Sequence, residues 1–311
     1  VKFIIFPPGV IRYPEAMHPW EKQGQGATVA DVVRVLKLAD DLGYDFVTMP
    51  DHIVISSSEA DVLGPQWPEA LTSLAFFAGQ TKNIRLYTSI LVVPYRNPLL
   101  LAKTLATVDW WSGGRLTIAV GVGHAHDEFE LLGVPFEERG TRTDEYLLAA
   151  KALWRDDVAS FSGQHVSFID RVCDPHPVNR SGLPIYIGGN SKPAMRRAAR
   201  IGDGWHPWTV QPKDVPACLE YIHSQPEMQD NPRPFDLVMP MSRLAVDDVT
   251  HQVTGETYFP TTETEIIEEL ETLKSIGTTV VATYFPPSTS LEDYLERITW
   301  FAEEIMPKYH N

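Results

Sequence analysis

Cysteine is nearly missing from this chain: Cys173 and Cys218 are the two among 311 residues. Thiols so few and so far apart support neither a disulfide framework nor a cysteine metal centre, and they fit a reducing compartment. Positive charge is scarce too, with 26 Lys and Arg against 41 Asp and Glu and a formal net charge of -15. A surface of that sign repels nucleic acid and anionic membranes, so neither is expected as a partner. A small anion is still admissible, because a nest of backbone N–H groups can hold one inside a net-negative protein. No apolar run approaches the ~20 residues of a membrane helix. The opening stretch Val1–Pro8 is too short, and too soon broken by proline, to read as a signal peptide. A cytoplasmic protein is expected. Low-complexity tracts, linkers and repeats longer than one βα unit are absent as well, which argues for one domain over residues 1–311.

What is present is a long alternation. Short β-branched and aromatic runs alternate with segments of helical period from one end to the other, the pattern of a parallel sheet. The spacing predicts strands over Lys2–Phe6, Phe46–Met49, Arg85–Leu91, Leu116–Val120, Pro184–Ile187, Gly204–Trp208, Leu237–Ala245 and Thr279–Tyr284. Helices are expected over Val29–Leu42, Glu69–Gln80, Pro98–Trp111, Arg142–Trp154, Lys192–Ile201, Pro212–His223, Glu263–Ser275 and Leu291–Ile305. Thr28 suits the first N-cap, Gly43 and Gly277 suit helix ends, and Pro68 and Pro98 suit first turns. Eight such units in about 300 residues, with nothing to mark a reversal of strand order, fit a closed (β/α)8 TIM barrel better than a doubly wound sheet. Insertions are expected at about 53–67, 158–179 and 247–260, at the C-terminal mouth where barrel enzymes build their pockets. The second holds Phe161-Ser-Gly-Gln-His-Val-Ser-Phe168, which reads as a hairpin. Trp110, Trp111, Trp154 and Trp300 fall at helical spacing and are expected in the core.

Four places on that frame can carry chemistry. Tyr186-Ile-Gly-Gly-Asn-Ser191 runs from a strand through two glycines into a capped helix, which presents free amides and the positive end of the helix dipole together. Ile187, Gly188, Gly189, Asn190 and Ser191 thus suit a phosphate as well as they suit an ordinary tight turn. Asp51-His52 follows the second strand and faces the mouth, where His can move a proton and Asp can accept N–H bonds. Left to itself, a strand-end His more often caps a neighbouring loop. Gly121-Val-Gly-His-Ala-His-Asp-Glu128 follows the fourth strand. Its His124 and His126 have the look of a metal pair, but a site needs three or four ligands and the spacing nominates no others. Finally, the apolar third strand carries Thr88-Ser89 near its exit, as fit to satisfy backbone as to bind a ligand.

Taken in order, these pieces resemble the bacterial-luciferase-like family of flavin and deazaflavin oxidoreductases. The resemblance rests on Gly113-Gly-Arg-Leu-Thr-Ile-Ala-Val-Gly-Val-Gly123, on Glu128-Phe-Glu-Leu-Leu-Gly-Val-Pro-Phe-Glu-Glu-Arg-Gly140, on Asp144-Glu145, Leu153-Trp154 and Ile187-Gly-Gly189, and on Ala198-Ala-Arg-Ile-Gly-Asp-Gly-Trp205. It spans Val29 to Trp208 and fades in the last third. It implies a β/α barrel, and the Gly-Gly-Asn-Ser form with Asp51-His52 is most similar to the branch that uses coenzyme F420 rather than flavin mononucleotide (FMN). In that reading Asp51 bonds the deazaflavin ring and His52 sits beside the reacting carbon as general acid or base, assisted by His124. A non-prolyl cis peptide at Ser89–Ile90 backs the ring, Gly188, Gly189, Asn190 and Ser191 hold phosphate, and Ile187, Gly123 and Asp127 join the cofactor-binding set. His124 stands where sugar-phosphate and alcohol dehydrogenases of this branch carry an acid, so a small, mostly apolar organic substrate is expected instead. Asp127 and Glu128 are near enough to supply part of the missing acid. Homodimers are common in the family. The competing readings are an FMN-dependent monooxygenase on the same barrel, a metal-dependent hydrolase using His124 and His126, and a barrel that binds a ligand without chemistry.

Overall fold

A computed structural model describes residues 1–9, 27–57, 60, 66–242 and 258–310. Its centre is a closed barrel of eight parallel strands, in the order β1-β10-β9-β8-β7-β4-β3-β2. The strands are β1 (Lys2–Ile5), β2 (Phe46–Met49), β3 (Arg85–Val92), β4 (Leu116–Gly121), β7 (Ile185–Gly188), β8 (Gly204–His206), β9 (Asp236–Pro240) and β10 (Val280–Thr283). Closure removes the doubly wound alternative, since β1 pairs with both β10 and β2 and leaves no edge. The remaining strands, β5 (Ala159–Ser162) and β6 (Ser167–Arg171), form the expected hairpin, with Phe161 opposite Phe168. Its turn is tied back to the helix over Arg139–Arg155 by Glu145, which accepts the amides of Gln164, His165 and Val166.

Around the barrel run α1 (Val29–Asp41), α2 (Ala70–Gln80), α3 (Pro98–Ser112), α4 (His126–Leu131), α5 (Arg139–Arg155), α6 (Lys192–Ile201), α7 (Val215–His223), α8 (Pro226–Asp230), α9 (Glu263–Ser275) and α10 (Leu291–Trp300). Their ends follow local chemistry. Thr28 caps α1 in a reciprocal box with Asp31, and Gly43 follows it at φ +81. Asn97 caps α3 with Pro98 in its first turn. Pro68 instead precedes its helix, because the Glu69 side chain is the N-cap of α2. The short α4 and α8 have no counterpart in the periodicity, being too brief to establish one. Past α10 the chain makes a π turn over Phe301–Ile305. The expected run of β9 to Ala245 stops at Pro240, and Ala245 lies outside the described residues, as do 58–59, 61–65 and 247–257 of the expected insertions.

Alternation along each strand sorts the core into two. Ile4, Phe46, Tyr87, Ala119, Tyr186, Val238, Val280 and Ala282 fill the bore. A larger cluster, including Trp154 and Trp205, packs the outer face of the sheet against the helices. Two tryptophans depart from expectation. Trp110 and Trp111 are 52% and 69% exposed, whereas Trp154 is fully buried and Trp300 packs half-buried on the core. Their helix turns Leu101, Ala102, Leu105, Ala106, Val108 and Asp109 inward, and the two neighbours fall outside that arc. Among the described residues no helix is long and apolar enough to cross a membrane.

Candidate active site

The exits of β2, β3 and β4 meet around one carboxylate. Glu128, in the first turns of α4, is 1% exposed and makes four hydrogen bonds. Its Oε1 accepts the amides of Ile53 at 2.6 Å and Val54 at 3.2 Å. Its Oε2 lies 2.9 Å from His52 Nδ1 and accepts the Tyr95 hydroxyl at 3.0 Å. Burial pushes this carboxyl up, but the bond from His52, the Ile53 amide and the Tyr95 hydroxyl outweigh it and hold it below the ordinary 4.5. An ionised carboxylate only accepts, so His52 Nδ1 carries its proton toward Glu128 and the ring presents Nε2 as the free position. The edge of Trp67 packs on that ring at 4.6 Å, and the His124 ring stands 6.0 Å away.

Asp51 is engaged within the chain. Its carboxylate takes both terminal nitrogens of Arg96 at 2.7 Å and the Val92 amide at 2.9 Å, and the side chain has no exposed surface. Arg96 also donates to Glu69 at 2.6 Å, so one guanidinium ties the β2 exit, the β3 exit and the start of α2. Burial lowers the basicity of Arg96, but the two carboxylates raise it by more, and it stays charged.

Beyond Thr88 the third strand breaks step: the Ser89–Ile90 peptide is cis and the pairing with β4 shifts before Leu91. Thr88 fills the gap itself, its hydroxyl donating to the Ala119 carbonyl at 2.7 Å and accepting the Ala119 amide at 2.9 Å. That is the structural use of this hydroxyl, not a ligand contact. Ile90 comes to lie across the top of the bore. A Cβ on Gly121 would stand 2.8 Å from its Cγ2, and one on Gly188 about 3.1 Å from its Cδ1, so glycine at both positions makes room for the Ile90 side chain.

At the β7 exit Gly189 takes φ +110, which favours glycine. The Asn190 side chain accepts the Trp208 amide at 2.8 Å and donates to Thr209, and Ser191 caps α6 by accepting the Ala194 amide. The amides of Asn190, Ser191 and Lys192 donate no hydrogen bond to the described residues, and they point from the dipole's positive end. Ile187 faces away from the bore and is fully buried in the outer core. Gly123 is required by packing, with φ +82 and a would-be Cβ 2.7 Å from Val92 Cγ1. Asp127 lies half-buried in the first turn of α4. His126 packs on Phe136 at 4.9 Å rather than converging with His124, and among the described residues no three His, Cys, Asp or Glu side chains gather as a metal site.

Sequence reasoning overlooked Tyr95, Arg96, Tyr87 and His206. Pro94-Tyr-Arg-Asn-Pro98 was the available signal, since a lone Arg directly after an apolar strand must find a carboxylate if it is buried.

This chain belongs to the luciferase-like monooxygenase family, whose model matches residues 14–278. It is 30% identical over 179 residues to an F420-dependent glucose-6-phosphate dehydrogenase of Amycolatopsis mediterranei, covering 56% of this chain and 52% of that one. To an FMNH(2)-dependent dimethylsulfone monooxygenase of Pseudomonas putida it is 34% identical over 141 residues, 44% of this chain and 38% of the other. In fold it is similar to the monooxygenase RslO1 of Streptomyces bottropensis, with a TM-score of 0.80 and 23% identity over 100% of both chains.

Proposed function

We propose that this chain transfers a hydride between the deazaflavin coenzyme F420 and a small, mostly apolar organic substrate. The observation that carries the reading is the His52–Glu128 couple at the mouth of the barrel. Hydride transfer to or from an oxygen-bearing carbon moves a proton as well, and a ring nitrogen kept free by a buried carboxylate is suited to take or return it. His124, 6.0 Å away and exposed, assists by passing that proton toward solvent.

The residues fit the coenzyme. Ile90, seated in the space left by Gly121 and Gly188, offers a flat apolar platform for a tricyclic ring. The three amides at Asn190, Ser191 and Lys192, presented by the turn at Gly189, suit its phosphate. Ile187 and Gly188 contribute backbone to the same cradle, and Gly123 and Asp127 stand at the β4 side of the rim. Asp51 supports the site through Arg96 rather than by touching the ring. When bound, the deazaflavin supplies a ring carbon that passes two electrons as hydride.

A dependence on FMN is the second reading, favoured by the name of the Pseudomonas relative. Fluorescence titration with each cofactor separates them: micromolar binding of F420 is expected, and binding of FMN alone overturns the proposal. His52→Ala is expected to lower turnover by roughly 10²–10⁴ while coenzyme affinity changes little. We also propose a homodimer, on the strength of the apolar surface that α3 leaves exposed at Leu100, Trp110 and Trp111.

A further inference from the structure

A second histidine meets the top of the bore from the opposite side. His206 ends β8, is 93% buried at a relative exposure of 7%, and lies beside Gly188, its partner on β7. Its Nδ1 is 2.9 Å from the hydroxyl of Tyr87, which is fully buried and has no other hydrogen-bond partner among the described residues. That arrangement settles where the protons are. Burial pushes the Tyr87 hydroxyl well above its ordinary range, so it keeps its proton, and Nδ1 is the acceptor available to it. The reverse assignment would bury an O–H with nothing to donate to. Burial also lowers His206 to about 4, so the ring is neutral and its single N–H sits on Nε2.

Nε2 makes no hydrogen bond to the described residues, yet it is not sealed off: His206 lines a cavity between the exits of β8, β9 and β10. Trp208, Met239, Pro240, Ala282 and Tyr284 supply apolar walls, and the buried Glu269 stands among them. None of the described lining residues is Lys or Arg.

We infer that this cavity is the substrate pocket, and that His206 Nε2–H anchors in it the carbonyl or hydroxyl oxygen of an uncharged, mainly apolar substrate. The inference rests on the oxidoreductase reading and narrows it. Apolar walls take the body of an uncharged ligand, and one fixed donor orients its oxygen. The pocket adjoins the Ile90 side chain through Gly188, the β7 partner of His206. Tyr87 is a positioning residue, since it acts through the tautomer of His206.

Ligand-observed NMR on the full chain without coenzyme tests this with three probes of one shape: cyclohexanone, methylenecyclohexane and cyclohexanecarboxylate. The ketone is expected to bind about tenfold tighter than the alkene, the worth of one good hydrogen bond, and the carboxylate weakest. His206→Phe should erase the preference for the ketone. Tyr87→Phe, which leaves the ring and the fold in place but frees the tautomer, should reduce it severalfold. Equal affinity for ketone and alkene, tightest binding of the carboxylate, or an unchanged preference in His206→Phe each overturns the inference. Because no coenzyme is present, these outcomes are independent of the cofactor titrations.

Discussion

Replacing Glu128 by Gln changes one atom and, on the geometry described, reverses the site's proton arrangement. The wild-type carboxylate satisfies four donors: the Ile53 and Val54 amides on Oε1, and His52 Nδ1 and the Tyr95 hydroxyl on Oε2. A carboxamide has one oxygen for those four. The main-chain amides cannot turn away, so the oxygen stays with them and the NH₂ faces His52 and Tyr95. Tyr95 can rotate to accept. His52 can accept only by moving its proton from Nδ1 to Nε2, which occupies the nitrogen that should receive the substrate's proton. Two consequences of different size follow. Stability falls by about 1–3 kcal/mol, because charge-assisted bonds become neutral ones and the buried Tyr95 O–H loses its acceptor. Turnover falls by roughly 10²–10⁴, the range for a lost or misassigned general base. Steady-state kinetics give the second and chemical denaturation the first, while long-range nitrogen–proton NMR of the ring reads the tautomer directly. Turnover within about threefold of wild type, with the proton now on Nε2, would refute the assignment of His52 as base.

Acid should destabilise the protein in a defined way. Glu128 and Asp236 are held below their ordinary 4.5 and 3.8, so the stability they contribute is whole above those values and lost as pH falls through the depressed ones. Unfolding free energies measured between about pH 6 and pH 2 should fall over that window, and Glu128→Gln should flatten the slope; an unchanged slope contradicts the shift. Gly121→Ala sets a Cβ 2.8 Å from Ile90 Cγ2. We expect it to cost about 1–3 kcal/mol of stability and to weaken coenzyme binding, with calorimetry and fluorescence titration as the checks. Trp111→Glu places a charge on the exposed face of α3 and should convert the proposed dimer into a monomer by light scattering while leaving the unfolding midpoint of the monomer unmoved.

The barrel was legible because it is written in periodicity: all eight strands and the hairpin declare themselves by β-branched runs and a Ser-Gly turn. Boundaries held where a local device fixed them, as at Thr28 and Gly43, and slipped where the deciding bond was not local. Pro68 looks like a first turn until the Glu69 side chain is seen to cap α2. The tryptophans at 110 and 111 have the right composition for a core and the wrong azimuth, which only the position of the neighbouring helices reveals. In the site, His52 stood out by residue type and place, and Asp51 by type alone. That Asp51 is consumed by Arg96 could not be read, since the two are 45 residues apart and meet only when β2 and β3 pair. Glu128 lay within the motif that carried the family resemblance, but its bond to His52 spans 76 residues. The Tyr87–His206 contact spans 119 and joins two positions that looked like ordinary filling.

The hydroxyl of Thr88 has a bearing on how this position tolerates change. Valine has the same outline and is the better strand former, and by shape alone it is the mildest of exchanges. Here it would strip Ala119 of both main-chain partners at once, deep in the wall, at a site where water has no access. Serine, smaller and a poorer fit, keeps both. The ranking of acceptable residues at position 88 is therefore set by a missing rung rather than by volume, and a library selected for folding should retain Ser and discard Val.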